Sequence, residues 1–258
     1  MILVISPAKT LDFESENISP EYSIPKSLEK SEKIVNKLKK MSVKKIGELM
    51  SISKDLSKLN QERYLDWGTD FNAENGKPAI QAFKGDVYLG LDVQSFTQED
   101  LGFANEHLRI LSGLHGVLRP LDLIRPYRLE MGTKLPVLRK KNLYEFWQDE
   151  VTKRVNGFLQ EVGSEYLINL ASDEYFNVIN TTRLKATIIK PSFKDFKNGQ
   201  YKVLSFFAKK ARGMMSAYII KNRITSPEEI KGFDADGYSF NAELSNNTEW
   251  VFTRNNEN

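Results

Sequence analysis

Six short apolar or alternating runs, at 2–6, 86–91, 166–172, 186–193, 201–208 and 249–254, punctuate this chain, and none exceeds eight residues. Each is bounded by turn formers, as strands are. Longer stretches with helical spacing lie between them, without a strict strand–helix–strand rhythm. That interleaving limits the fold to α/β, a mixed sheet with surrounding helices, or to α+β. Asn198-Gly199 separates two of the runs. Both residues accept positive φ, so 186–208 reads as an antiparallel ribbon joined by a tight turn.

Helices are expected between the runs. Leu28, Ile34, Val35, Leu38 and Met41 share one side of 27–41, with lysines on the other. Thr97-x-x-Asp100 opens a helix running toward Leu111, Ser226-Pro227-Glu228-Glu229 is a capping signature, and 142–160 is a long helix with aromatic anchors. The stretch 46–64 reads as two short helices joined at Ser51-Ile52-Ser53, with Lys54 and Lys58 on the second. Such a pair can grip duplex phosphate without reading bases. No repeat or low-complexity linker interrupts the 258 residues, which points to one domain over 1–258.

Charge is segregated along the chain. Residues 183–223 carry eleven Lys or Arg and one acid, Asp195, in a chain whose net charge is only +3. Residues 26–58 hold ten lysines against four acids, and 107–141 hold eight Lys or Arg against two. Like-charged blocks are ordinarily solvated faces; three of them separated by acidic segments point to a polyanionic partner. Within 208–223, Lys209, Arg212, Ser216 and Arg223 share one side, and the cations begin in the first helical turn. Cations there lose about 0.3–1 kcal/mol against the helix dipole, which suggests an anion at that helix start.

The absence of cysteine excludes disulfides, thiolate zinc sites and cysteine nucleophiles. The apolar start, Met1 to Ile5, is too brief for a signal or a span, so a cytoplasmic protein without membrane contact is expected. His107 and His115 read as structural residues. No Glu-x-x-His pair offers an iron centre, and no Gly-x-Ser-x-Gly elbow supports a triad of Ser172, His115 and Asp173. Nothing calls for a cofactor or a resident metal.

Several motifs mix cations with acids. Ser6-Pro7-Ala8-Lys9-Thr10 follows the first strand and precedes Asp12, where an open sheet would hold phosphate, although Walker glycines are missing. Lys84-Gly85-Asp86 reads as a tight turn before a strand. Residues 108–122 read as a helical pattern closed by two glycines and Arg119-Pro120; Arg125, Arg128 and Glu130 follow in one loop. Asp173-Glu174 ends a buried strand and could cap a helix, bind a divalent metal or act as acid and base.

Taken together, Ser-Pro-Ala-Lys-Thr-Leu-Asp at 6–12, Ala-Phe-Lys-Gly-Asp-Val-Tyr at 82–88, Leu-Ser-Gly-Leu-His-Gly-Val-Leu-Arg-Pro-Leu-Asp at 111–122, Pro-Tyr-Arg-Leu-Glu-Met-Gly at 126–132, Ile-Asn-Leu-Ala-Ser-Asp-Glu-Tyr-Phe at 168–176 and Lys-Lys-Ala-Arg-Gly at 209–213 resemble the YaaA family of bacterial peroxide-stress proteins. The resemblance runs nearly end to end. It implies a cytosolic protein of the oxidative-stress response that keeps free iron low and protects DNA. It also implies a single mixed α/β domain with a helix-hairpin-helix element, carried onto 46–64, and a positively charged cleft that binds DNA. No reaction comes with the resemblance.

Two functions are therefore expected to compete. In the first, a monomer binds double-stranded or structured DNA with weak sequence preference. Lys9, Lys84, Arg119, Arg125, Arg128 and Lys190 would face phosphates, as would Lys209, Lys210 and Arg212. In the second, an enzyme acts on a nucleotide or other phosphorylated small molecule, with Asp12, Asp86, Glu130, Asp173 and Glu174 lining the same pocket.

Overall fold

Residues 1–255 are described by a computed structural model. Its centre is an eight-stranded sheet. In chain order the strands are β1 (Ile2–Ile5), β2 (Leu108–Ser112), β3 (Gly116–Leu118), β4 (Tyr166–Leu170), β5 (Thr187–Lys197), β6 (Gln200–Lys202), β7 (Ser239–Asn241) and β8 (Glu249–Arg254). They lie side by side as β7-β8-β5-β4-β1-β2-β3, with β6 pairing only with β5. β1 runs parallel to β2 and β4, and β5 runs parallel to β4 and β8. The hairpins β2–β3, β5–β6 and β7–β8 are antiparallel. The expected mixed α/β architecture is what forms, as a single domain around one core.

Every residue of β1 is fully buried, as a central parallel strand covered on both faces requires. Neighbouring β2 is buried at every position too. The sequence pattern had placed 108–111 in a helix. A short, continuously apolar run has no alternation to distinguish a buried strand from a buried helix, and packing beside β1 decides for the strand. Gly116, at φ 72°, then turns the chain into β3.

The principal helices are α1 (Leu28–Leu38), α2 (Val43–Met50), α3 (Lys54–Asp66), α4 (Asp86–Leu91), α5 (Gln98–His107), α6 (Leu143–Glu161) and α7 (Ser205–Lys221). Thr97 and Asp100 close the expected capping box on α5. Asn142 caps α6 by accepting from the Glu145 amide at 2.9 Å. Ser226 bonds no amide through its side chain, and Pro227–Gly232 is a 3-10 turn with proline at its start. Asn198 and Gly199, at φ 55° and 76°, make the predicted turn between β5 and β6.

Two further strand readings are corrected. Residues 86–91 form α4, which is too short to show a helical period. The run 201–208 breaks after Lys202, and α7 starts at Ser205, so Lys209, Lys210 and Arg212 lie in its second turn rather than its first, where the dipole argument for an anion had placed the cations. In α7, Gly213 lies against α4: a Cβ there would stand 1.8 Å from the Val87 carbonyl oxygen. Gly90 meets α7 the same way, 2.0 Å from the Lys210 carbonyl oxygen. The two helices therefore touch backbone to backbone.

Candidate functional site

β1 is the point at which strand order turns. Its parallel neighbour β2 lies on one side, while β4 and then β5 extend on the other. In open sheets of this kind the carboxyl ends of the strands flanking such a point frame a crevice that takes ligands. Four of the motifs singled out in the sequence meet there.

The loop after β1 is tied to the loop after β4. Ser6 Oγ accepts the Ser172 amide at 2.9 Å, and the two hydroxyls are 3.2 Å apart. Tyr88 of α4 donates to the Ser6 carbonyl at 3.2 Å. Lys9 Nζ lies 2.8 Å from Glu130, which also takes Arg128 at 3.3 Å. Gly132 donates its amide to Glu174 at 3.0 Å, and Lys190 on β5 donates to Asp173 at 2.9 Å. That hydrogen bond and the nearby positive charge hold the Asp173 carboxyl below its ordinary range. Beside the crevice, the Thr10–Leu11 and Phe83–Lys84 strands pair, which brings Lys84 within 3.3 Å of Asp12. The Ser15 amide, with the Lys84 ammonium, lowers the Asp12 carboxyl to about 2. A cavity of about 170 Å³ opens there between Asp12, Lys84 and Tyr88.

Arg212 of α7 stands differently from these. Burial lowers its pKa, and the charge of Asp173 counters part of that shift. Among the described residues, however, its guanidinium has neither a hydrogen bond nor an ion pair, and its nitrogens are not sealed from solvent. Asp86 sits half-buried in the first turn of α4.

Other expected cations lie away from the crevice. Arg119 bonds Glu161 at 2.7 Å, and its guanidinium is 5.2 Å from the Phe158 ring centre. Arg125 is buried and holds the Asp70 carboxylate and carbonyl, each at 2.9 Å. Lys210 lies 3.7 Å from Asp236. His107 stacks on Phe103 and bonds the Met1 carbonyl, whereas His115 faces Ser31. Full burial lowers His115 to about 3. With Ser172 held by Ser6 and His115 sealed in the core, no triad of Ser172, His115 and Asp173 is assembled.

A second group of cations lies on the β5–β6 hairpin and in the second turn of α7, with Lys197 and Lys202 on the Asp195 face of the ribbon and Lys194 on the opposite face. Lys194, Lys197, Lys202 and Lys209 have no ion pair among the described residues. The one acid of that basic block does not offset them, because buried Asp195 is occupied by Arg254 Nε at 2.7 Å and Tyr238 at 3.0 Å. Exposed Tyr201, Val203, Phe206 and Phe207 lie among these lysines. The sequence reading named Lys209 but not the three hairpin lysines. Their sign was the density of charge around a single acid.

The helix pair α2–α3 is joined by Ser51–Ser53, with Ser51 in the left-handed region at φ 51° where glycine is usual. The Ser51 and Ile52 amides both donate to the Gly47 carbonyl, and Ser53 Oγ accepts from Leu56. Lys54 and Lys58 are exposed and have no ion pair among the described residues. Within those residues no three His, Asp or Glu side chains gather as a metal site would need, and no helix is long and apolar enough to cross a membrane.

Fold and site together define a mostly parallel α/β protein whose polar loops converge where strand order turns. The chain belongs to the YaaA family of peroxide stress proteins. The family model described as "Peroxide stress protein YaaA" matches residues 1–244. A UPF0246 protein of Ralstonia pickettii (strain 12J) is 52% identical over 254 residues, covering 98% of this chain and 99% of its own length.

Proposed function

We propose that this protein serves peroxide resistance by binding DNA through the β5–β6 hairpin and the first two turns of α7. The observation that carries this reading is the contrast in pairing: Lys194, Lys197, Lys202 and Lys209 have no ion pair among the described residues, whereas Lys9, Lys84, Arg119, Arg125, Arg128 and Lys190 each have a carboxylate within 4 Å. Only an unpaired cation can release phosphate counterions without first breaking an ion pair. Exposed Tyr201 and Phe206 add faces on which unpaired bases can stack. Contact would be weakly sequence-dependent and would favour distorted or partly melted duplex. Lys54 and Lys58 on α3 supply a second phosphate contact. Protection of DNA from iron-driven oxidation would follow from occupancy of the duplex, with any lowering of free iron indirect.

Fluorescence anisotropy of a labelled duplex at several salt concentrations tests this. Affinity should fall steeply with salt. Replacing Lys194, Lys197, Lys202 and Lys209 by Ala should flatten the log–log slope by about 0.9 per lysine in contact. An unchanged slope in the fourfold variant removes the hairpin from the interface, and no binding at low salt ends the DNA reading.

A further inference from the structure

The geometry points to a second, separate site: the crevice at the carboxyl ends of β1 and β4 binds a small phosphate monoester that carries neighbouring hydroxyls, and Arg212 receives its phosphate. This does not rest on the DNA reading, because none of the four lysines assigned to DNA takes part and, Arg212 apart, the charged groups involved are already ion-paired.

Arg212 is the first reason. A guanidinium presents five donors in a planar fork matched to phosphate oxygens. Here it lies half-buried on α7 with none of those donors engaged among the described residues. Its nearest acid, Asp173, is already hydrogen-bonded to Lys190 at 2.9 Å. Leaving a partly desolvated cation unpaired is costly unless an anion arrives. Lys190 lies beside it, reaching from β5 toward the same carboxylate, and can swing from Asp173 to an incoming phosphate.

The remaining walls set the rest of the ligand. Glu130, between Lys9 and Arg128, still offers acceptor lone pairs after both contacts. A carboxylate with spare acceptors suits hydroxyl groups, each of which can donate a hydrogen bond to it. A duplex presents no free vicinal hydroxyls, whereas a sugar phosphate does. The framework is rigid where it matters: Ser6 and Ser172 clasp the two loops, and α4 and α7 touch backbone to backbone behind Arg212.

Isothermal titration calorimetry on the full chain, with inorganic phosphate, ribose 5-phosphate and AMP as separate probes, provides the test. Ribose 5-phosphate should bind more tightly than inorganic phosphate. AMP binding as tightly as the sugar phosphate would make the source a nucleotide, and AMP excluded would make it a free sugar phosphate. Arg212→Gln should weaken binding about tenfold or more, a loss typical of one charge-assisted contact. Because Arg212 is partly enclosed, Lys190→Ala at the more exposed position serves as the second variant and should weaken binding several-fold. The fourfold hairpin variant should bind the sugar phosphate as the unaltered chain does, so the two readings fail separately. No heat with any probe at millimolar concentration, or equal affinity in both crevice variants, overturns the proposal.

Discussion

The crevice and the hairpin carry similar numbers of cations and treat them in opposite ways. In the crevice each lysine has a carboxylate brought from a distant segment: Glu130 meets Lys9, Asp173 meets Lys190 and, beside it, Asp12 meets Lys84. On the hairpin the lysines stand alone, and the one acid is turned inward to Arg254. Local charge density is thus a poor guide to available charge. Availability depends on what the fold delivers within about 4 Å, and matched charges suit a small polar ligand while unmatched ones suit a polyanion.

The most severe way to break this contrast is to disturb the acid beneath the hairpin. Asp195→Ala leaves buried Arg254 with Asp236, 2.7 Å from its Nη1, as its remaining acid, and the loss should approach about 3–5 kcal/mol, that of a broken buried pair. Urea unfolding measures it. A loss under 1 kcal/mol would mean that Asp195 does not neutralise Arg254, and that its charge reaches the hairpin surface after all. Next comes the seam between the regions. Gly213→Ala forces a methyl group into the Val87 carbonyl, and overpacking of this kind should cost about 1–3 kcal/mol. The same variant should weaken sugar-phosphate binding more than duplex binding, since Arg212 is adjacent.

The smallest effect sharpens the crevice side. The Asp12 carboxyl, lowered from 3.8 to about 2 by the Ser15 amide and then by Lys84, is stabilising while ionised. Its contribution is full above about 3.8 and disappears as pH falls toward about 2. Asp12→Asn should flatten that acid limb of a melting-temperature profile taken between about pH 5 and pH 2. An unchanged limb would assign the acid sensitivity to other carboxylates, such as Asp173.

Much of this was legible beforehand, for identifiable reasons. The Thr97–Asp100 box, the Asn198-Gly199 turn and the α1 periodicity are local codes, and local codes survive in sequence. β2 was hidden because a strand buried on both faces has no alternation, and α4 because six residues cannot display a helical period. The polar motifs of the crevice were readable as residue types. Their pairings were not, since Lys9 finds Glu130, 121 positions further along the chain. Arg125 and Arg119 looked like phosphate ligands until Asp70 and Glu161, in segments no motif had marked, were seen to hold them.

The glycine seam between α4 and α7 has a mechanical outcome. With no side chains interposed to compress, any tilt of the longer helix must carry the shorter one and, through Tyr88 and Ser6, the first loop of the sheet. Lys209 and Arg212, three residues apart on α7, share one side of that helix and ride with it.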